Sequence, residues 1–480
     1  MTLKQRAIRA TLWSGADIFL RQGVQFFVSM TLARLISPEA FGTLALLSVF
    51  VALASAFVDS GFSAALVQAQ DVTPEDESTV FWFTVGAGAL FGVCLWWSAP
   101  AIARFFDNPE LLGLTGAMAL NLFFGALGAV PGTLLRKRLA FREQMWVSVT
   151  ASAASGGVAV FLALRGFGVW ALATQILLAT VMTMLLQWRV SRWTPLFVFR
   201  VASLRRLFRF GGYLLVSSLL DGAYTRGYAV LLGKWYGARE LGLYNRADGT
   251  QQLPVGVLGL VLSRVAFPVF SEAAGDVQRL RRGVQLAVRG VMLLNVPLML
   301  GLVVTAEPLV VTLFGEVWKP CVPVLQILAL SGVLWPLHVI NLNVLLGQGH
   351  SRLFFRLEVI KKLLGTALLV LASFWGVLGI AWSQVALGVL GFLINATYTK
   401  QKLGYGALAQ FLDFAPTLLL SVLMAAVVKW LSLHLASPAP VRLALLVVAG
   451  AMLFGGLAWI MRLRALRESV GLFSRVRMAT

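Results

Sequence analysis

The sequence predicts an all-α polytopic membrane protein, on three observations. Of 480 residues, 59% are hydrophobic and only 12% are charged, with a mean hydropathy of +0.83. Soluble domains average roughly 25% charged residues, so this chain cannot cover a water-facing surface. Apolar runs of about 20 residues, the length that crosses a hydrocarbon core, recur from end to end. The runs are continuous, whereas an outer-membrane barrel would need short alternating strands. The net charge of +20 would suggest nucleic acid in a soluble protein. Here the bases gather in alternate loops, so the charge records topology and no nucleic-acid partner is expected.

Taken in order, the first run is 11–35. It follows the basic start MTLKQRAIRATLWSG with no small-residue cleavage site, so it is expected to stay as a helix. Spans at 41–60, 79–99, 111–131, 146–164 and 168–187 complete an expected N-terminal six-helix lobe over 1–188. A basic cytoplasmic linker, 189–210, follows. In it Leu204, Leu207 and Phe208 alternate with Arg205, Arg206 and Arg209. That pattern fits a short helix in the membrane interface, or a plain basic connector. Spans at 211–233, 250–270, 287–305, 321–343, 361–377 and 379–397 form a second six-helix lobe over 211–400. Two further spans, 412–432 and 441–461, and a basic cytoplasmic tail occupy 401–480. The expected total is about fourteen spans. Pro254, Pro268, Pro297 and Pro336 fall inside apolar runs, where proline kinks or breaks helices.

Basic clusters at 136–143, 189–209, 278–283, 351–362 and 399–402 lie in alternate loops, which places both termini in the cytoplasm. The loop 68–79 belongs to the same side, yet it is acidic and has no base. The halves echo each other at a spacing of 200 positions. Arg6 and Arg9 match Arg206 and Arg209, and LARLISPEAFG (32–42) lies over LGKWYGARELG (232–242). A duplicated six-helix unit keeps its orientation, so the two lobes would be related by a pseudo-two-fold axis along the membrane normal.

Charges inside the spans are the candidates for chemistry, because each costs on the order of 3 kcal/mol at the bilayer centre. They are Asp17 and Arg21 on one face of the first helix, Asp221 and Arg226 on the seventh, Asp59 ending the second, and Arg264 within the eighth. His338 and Asn341 are polar candidates in the tenth. Arginine keeps its charge and binds phosphate or carboxylate bidentately, which suits a cavity for anionic groups. The acid–base pairs can equally neutralise each other between helices, and His338 can be a protonation switch or a hydrogen-bonded interior residue. No P-loop, zinc motif or metal-spaced cysteine pair is present. No long loop carries paired carboxylates for acid–base work, so no enzyme activity is expected.

Three stretches carry a resemblance: LARLISPEAFGTLALLSVFVALASAFVDSGFSAALVQAQD (32–71), LGLYNRADGTQQLPVGVLGLVLSRVAFPVFSE (241–272) and EPLVVTLFGEVWKPCVPVLQILALSG (307–332), the last with Phe314, Gly315 and Trp318 as an FG-x-x-W core. They resemble the multidrug/oligosaccharidyl-lipid/polysaccharide exporter superfamily, in its branch of Wzx-type flippases and colanic and teichuronic acid exporters. The resemblance implies two six-helix lobes plus two helices in a bacterial inner membrane. It implies transfer of undecaprenyl-diphosphate-linked oligosaccharide, by alternating access, for surface polysaccharide. Arg21, Arg226 and Arg264 would then line a cationic cavity. No cofactor is implied beyond exchange against H⁺ or Na⁺, for which Asp17, Asp59 and Asp221 are the available acids, with His338 and Asn341 as cavity polar groups. Implied partners are the lipid-linked oligosaccharide, membrane lipids, a polymerase and a chain-length regulator. A peptidoglycan lipid precursor flippase and a multidrug cation antiporter are the alternatives within the superfamily.

Overall fold

A computed structural model describes residues 3–273 and 275–468, and every regular element among them is helical. Among the described residues, ten helical runs are long and apolar enough to cross a membrane, fewer than the fourteen expected. One cause is that Arg352–Leu403 counts as a single run of 52 residues where two spans were expected. Another is that Leu3–Leu35 and Val201–Glu272 are not among the ten. They carry the in-membrane charges, Asp17 with Arg21 and Asp221 with Arg226.

The chain folds as two compact units, Met1–Gly242 and Leu243–Thr480. The first holds α1 (Leu3–Leu35), α2 (Pro38–Leu46), α3 (Ser48–Asp59), α4 (Phe62–Gln68), α5 (Pro74–Phe105), α6 (Leu111–Lys137), α7 (Phe141–Leu164), α8 (Val169–Ser191) and the start of α9 (Val201–Glu272). The span expected at 41–60 is thus two helices. Ser37 caps α2 by accepting from the Ala40 amide, with Pro38 in the first turn. Ser60 (φ 46°) and Gly61 (φ 72°) are both left-handed and stop α3 before α4.

The acidic loop 68–79 draws its counter-charges from the linker. Thr73 and Asp76 form a capping box that starts α5. Asp76 also pairs with Arg206, Glu75 with Arg200 at 3.2 Å, and Glu77 accepts from Trp193 Nε1 at 2.8 Å. Beside these pairs, Leu207 is buried among Phe62, Leu66 and Phe81, with Leu204 packed against them. Protein therefore covers Leu207 and part of Leu204, while Phe208 stays 45% exposed beside the Phe62 ring.

Within α9 the helix is interrupted at Gly237, where φ is 84° and ψ is 173°. The turn that follows lies against α2. A Cβ built on Gly42 would overlap the Ala238 carbonyl, and one on Gly242 would overlap the Pro38 carbonyl. Positions 38 and 238, and 42 and 242, are those the sequence echo aligned, and they meet reciprocally.

The second unit holds the end of α9, then α10 (Val277–Phe314), α11 (Val322–Val333), α12 (Trp335–Gly347), α13 (Ser351–Ala372), α14 (Gly376–Leu403), α15 (Ala407–His434) and α16 (Ala439–Ile460). Leu280, Val284, Val288, Met292 and Val296 make a four-residue repeat along α10 and are all fully buried, so one stripe of this helix anchors the core. Pro297 and Pro308 sit inside α10 without ending it, whereas Pro336 opens α12 and divides the span expected at 321–343. The side chain of Pro268 lies outside the described residues.

Candidate functional site

One stripe of α1 carries Asp17, Arg21 and Gln25, each four residues from the next and so on one face. With α6, α7 and α8 it lines an open cavity of about 490 Å³ in the first unit. The lining positions on α6 run from Phe124 to Arg136, roughly 18 Å of helix at 1.5 Å per residue. The cavity therefore reaches from the basic end of α6 well into its apolar length.

Ser148 on α7 donates to Asp17 Oδ1, which joins α1 to α7. Arg21 forms no ion pair or hydrogen bond with another described residue. Arg136 Nη2 donates to Thr133 Oγ1 at 3.0 Å on its own helix and also lines the cavity. Two guanidinium groups thus face one carboxylate, and the cavity is net cationic. Gln144 adds a buried Nε2 with no hydrogen-bond partner among the described residues. Such a donor inside a membrane protein calls for water or a ligand.

The remaining predicted residues lie elsewhere. Arg226 and Asp221 are exposed on α9 and are not in this cavity. Asp59, at the end of α3, accepts from Ser63 Oγ at 2.5 Å. The side chain of Arg264 lies outside the described residues. His338 and Asn341 belong to the second unit. His338 Nε2 meets the Gly388 carbonyl at 3.0 Å and Nδ1 meets Asn395 Nδ2 at 3.3 Å. A carbonyl can only accept, so Nε2 carries the proton, and Nδ1 accepts from the Asn395 amide. Asn341 and Gln410 exchange amide hydrogen bonds at 3.0 and 2.9 Å, and Thr399 donates to Asn341 at 2.6 Å. Asn341, Asn395, Thr399 and Gln410 are all fully buried. The network joins α12, α14 and α15, and within it the buried Asn395 Oδ1 has no hydrogen-bond partner among the described residues.

Two arginine sites were not singled out from the sequence. Arg289 on α10 is buried and bonds Asp413 at 2.6 Å and Glu468 at 2.8 Å, while Tyr405 donates to Asp413 at 2.6 Å. Arg246 lies over the rings of Phe314 and Trp318, 4.7 and 4.8 Å from their centroids. The FG-x-x-W core thus serves to seat a cation on two aromatic faces.

Residues 31–323 match the family model described as polysaccharide biosynthesis protein. The chain belongs to this family. It is 30% identical over 406 residues to the teichuronic acid biosynthesis protein TuaB of Bacillus subtilis (strain 168), covering 83% of each chain. It is 28% identical over 429 residues to the succinoglycan biosynthesis transport protein ExoT of Rhizobium meliloti (strain 1021), covering 87% of this chain and 85% of the relative. Among solved structures, the lipid II flippase MurJ in an inward closed conformation aligns with a TM-score of 0.77 at 14% identity, covering 94% of this chain and 98% of that one. That likeness establishes a shared fold, an all-helical polytopic one.

Proposed function

We propose that the chain is a flippase moving an undecaprenyl-diphosphate-linked oligosaccharide across the bacterial inner membrane for surface polysaccharide synthesis. The observation that carries this reading is the cationic cavity of the first unit, in which Arg21 has no protein counter-ion among the described residues. A diphosphate brings the charge that Arg21 and Arg136 lack, and guanidinium is the side chain suited to bind it. The relatives support the polysaccharide pathway, since their names assign them to teichuronic acid and succinoglycan biosynthesis. By helix position, Arg226 and Arg264 are proposed to add to the binding surface during transfer. Exchange against H⁺ or Na⁺ would fall to Asp17, the acid that faces the cavity.

In this reading the basic loops and both termini face the cytoplasm. The lobes are 1–188 and 211–400, with 189–210 as the linker and 401–480 as an addition. The chain performs no covalent chemistry and hands its cargo to a polymerase and chain-length regulator. The test is a strain lacking the gene, with lipid-linked saccharides analysed by mass spectrometry and leaflet accessibility. A lipid-linked repeat unit should accumulate facing the cytoplasm. Unchanged lipids together with unchanged surface polymer would exclude this function.

A further inference from the structure

One wall of the cavity of the first unit is polar and uncharged. Gln25, Gln144, Ser152, Thr180, Thr183 and Gln187 line it from three helices. None of them makes a side-chain hydrogen bond to another described residue. Burying an unpartnered amide or hydroxyl costs roughly 1–3 kcal/mol; here Gln144 Nε2 is buried without a partner among the described residues, and the other side chains border the lumen. A group of them on one surface marks a place built for a polar, uncharged ligand.

Gln187 shows the most construction. Its amide lies flat on α6 over two glycines one turn apart. A Cβ on Gly132 would stand 2.7 Å from Gln187 Nε2, and a Cβ on Gly128 would stand 3.0 Å from Oε1. Glycine inside a helix costs about 1 kcal/mol relative to alanine, and here two of them make a notch. The notch lets the amide reach the lumen edgewise without filling it. An amide offers a donor and an acceptor side by side, which matches neighbouring hydroxyls on a sugar ring. The volume of about 490 Å³ is that of a small-ligand pocket, about 300–1,000 Å³. It suits the sugars nearest the lipid rather than a long chain.

We infer that this wall is a carbohydrate subsite. The proximal sugar of the lipid-linked substrate sits on it, with Gln187 bonding its hydroxyls and the glycine notch setting the available width. Arg21 and Arg136 hold the adjoining diphosphate. The inference rests on the flippase reading and adds to it the site that recognises the sugar.

The test measures binding to the full-length protein in lipid nanodiscs. The probes are undecaprenyl diphosphate without sugar and undecaprenyl-diphosphate-linked saccharide isolated from the host strain. Gln187→Ala should weaken the glycosylated lipid about tenfold, the loss of one good hydrogen bond, and leave the bare lipid diphosphate unchanged. Arg21→Ala should weaken both probes. Gly132→Ala pushes only the flexible end of Gln187 into the lumen, so the variant should fold. It should weaken the glycosylated probe alone, and combining it with Gln187→Ala should add nothing. Equal weakening of both probes by Gln187→Ala, or no weakening of either, overturns the subsite. A parent protein that binds neither probe overturns the flippase reading itself.

Discussion

Arg21 stands one helical turn from Asp17, yet the hydrogen bond to Asp17 comes from Ser148 on another helix. The guanidinium is left facing the cavity. Arg21→Ala should therefore lower export about 10- to 100-fold, the range of a lost hydrogen bond to a charged group. The amount of protein in the membrane should not change. Surface polysaccharide per unit of transporter is the measurement. Arg21→Lys should keep part of the activity if charge suffices, and little of it if bidentate geometry is required. Arg289 is the opposite case, a buried guanidinium with two acids on it. Arg289→Ala strands Asp413 and Glu468, and should cost about 3 kcal/mol of stability, read as a lower unfolding temperature in detergent. Asp17 and Arg21 were visible in the sequence as charges in an apolar run. Arg136 was not, because a base at a helix end is absorbed into the loop charge that sets topology. Arg289 was hidden by distance, its partners being 124 and 179 positions away.

Helix α5 shows how an element is held at its acidic end. Asp76 closes the capping box and bonds Arg206 while nearly buried, whereas Glu75 and Arg200 pair in the open. Asp76→Ala should cost about 1–2 kcal/mol through the lost hydrogen bond from the Thr73 amide to its carboxylate, and Glu75→Ala less than about 1 kcal/mol. Thermal unfolding of the two variants would give the order. The fold class and most helix positions could be read from hydropathy, since length and apolarity are what the bilayer demands. Breaks inside runs were harder to place. Leu47 divides one expected span, Leu334 and Pro336 another, and Pro297 divides nothing. Proline marks a missing donor, and whether the helix stops there is decided by packing that a single sequence does not display. The wall around Gln187 was equally hidden, because its notch joins α6 to α8 and exists only once they are packed.

At the scale of the whole molecule, the deciding test is the gene deletion described above, because it asks about cargo and direction together. A second test concerns assembly. Gly42→Ala and Gly242→Ala each drive a methyl group into a backbone carbonyl, where nothing flexible can give way. Each should cost at least about 1–3 kcal/mol and reduce the folded protein recovered from membranes, seen by size-exclusion chromatography. The same two glycines say something about descent. They stand 200 positions apart at matching places in the echo, and each one faces the other's stretch of chain. In an unfused ancestor, a single codon would have supplied both sides of this contact, with one copy of the gene product touching another. Any change there would have struck twice. Such an origin would let each side drift alone after fusion: positions 38 and 238 now differ, Pro against Ala, while the two glycines, between which no side chain fits, are the same residue.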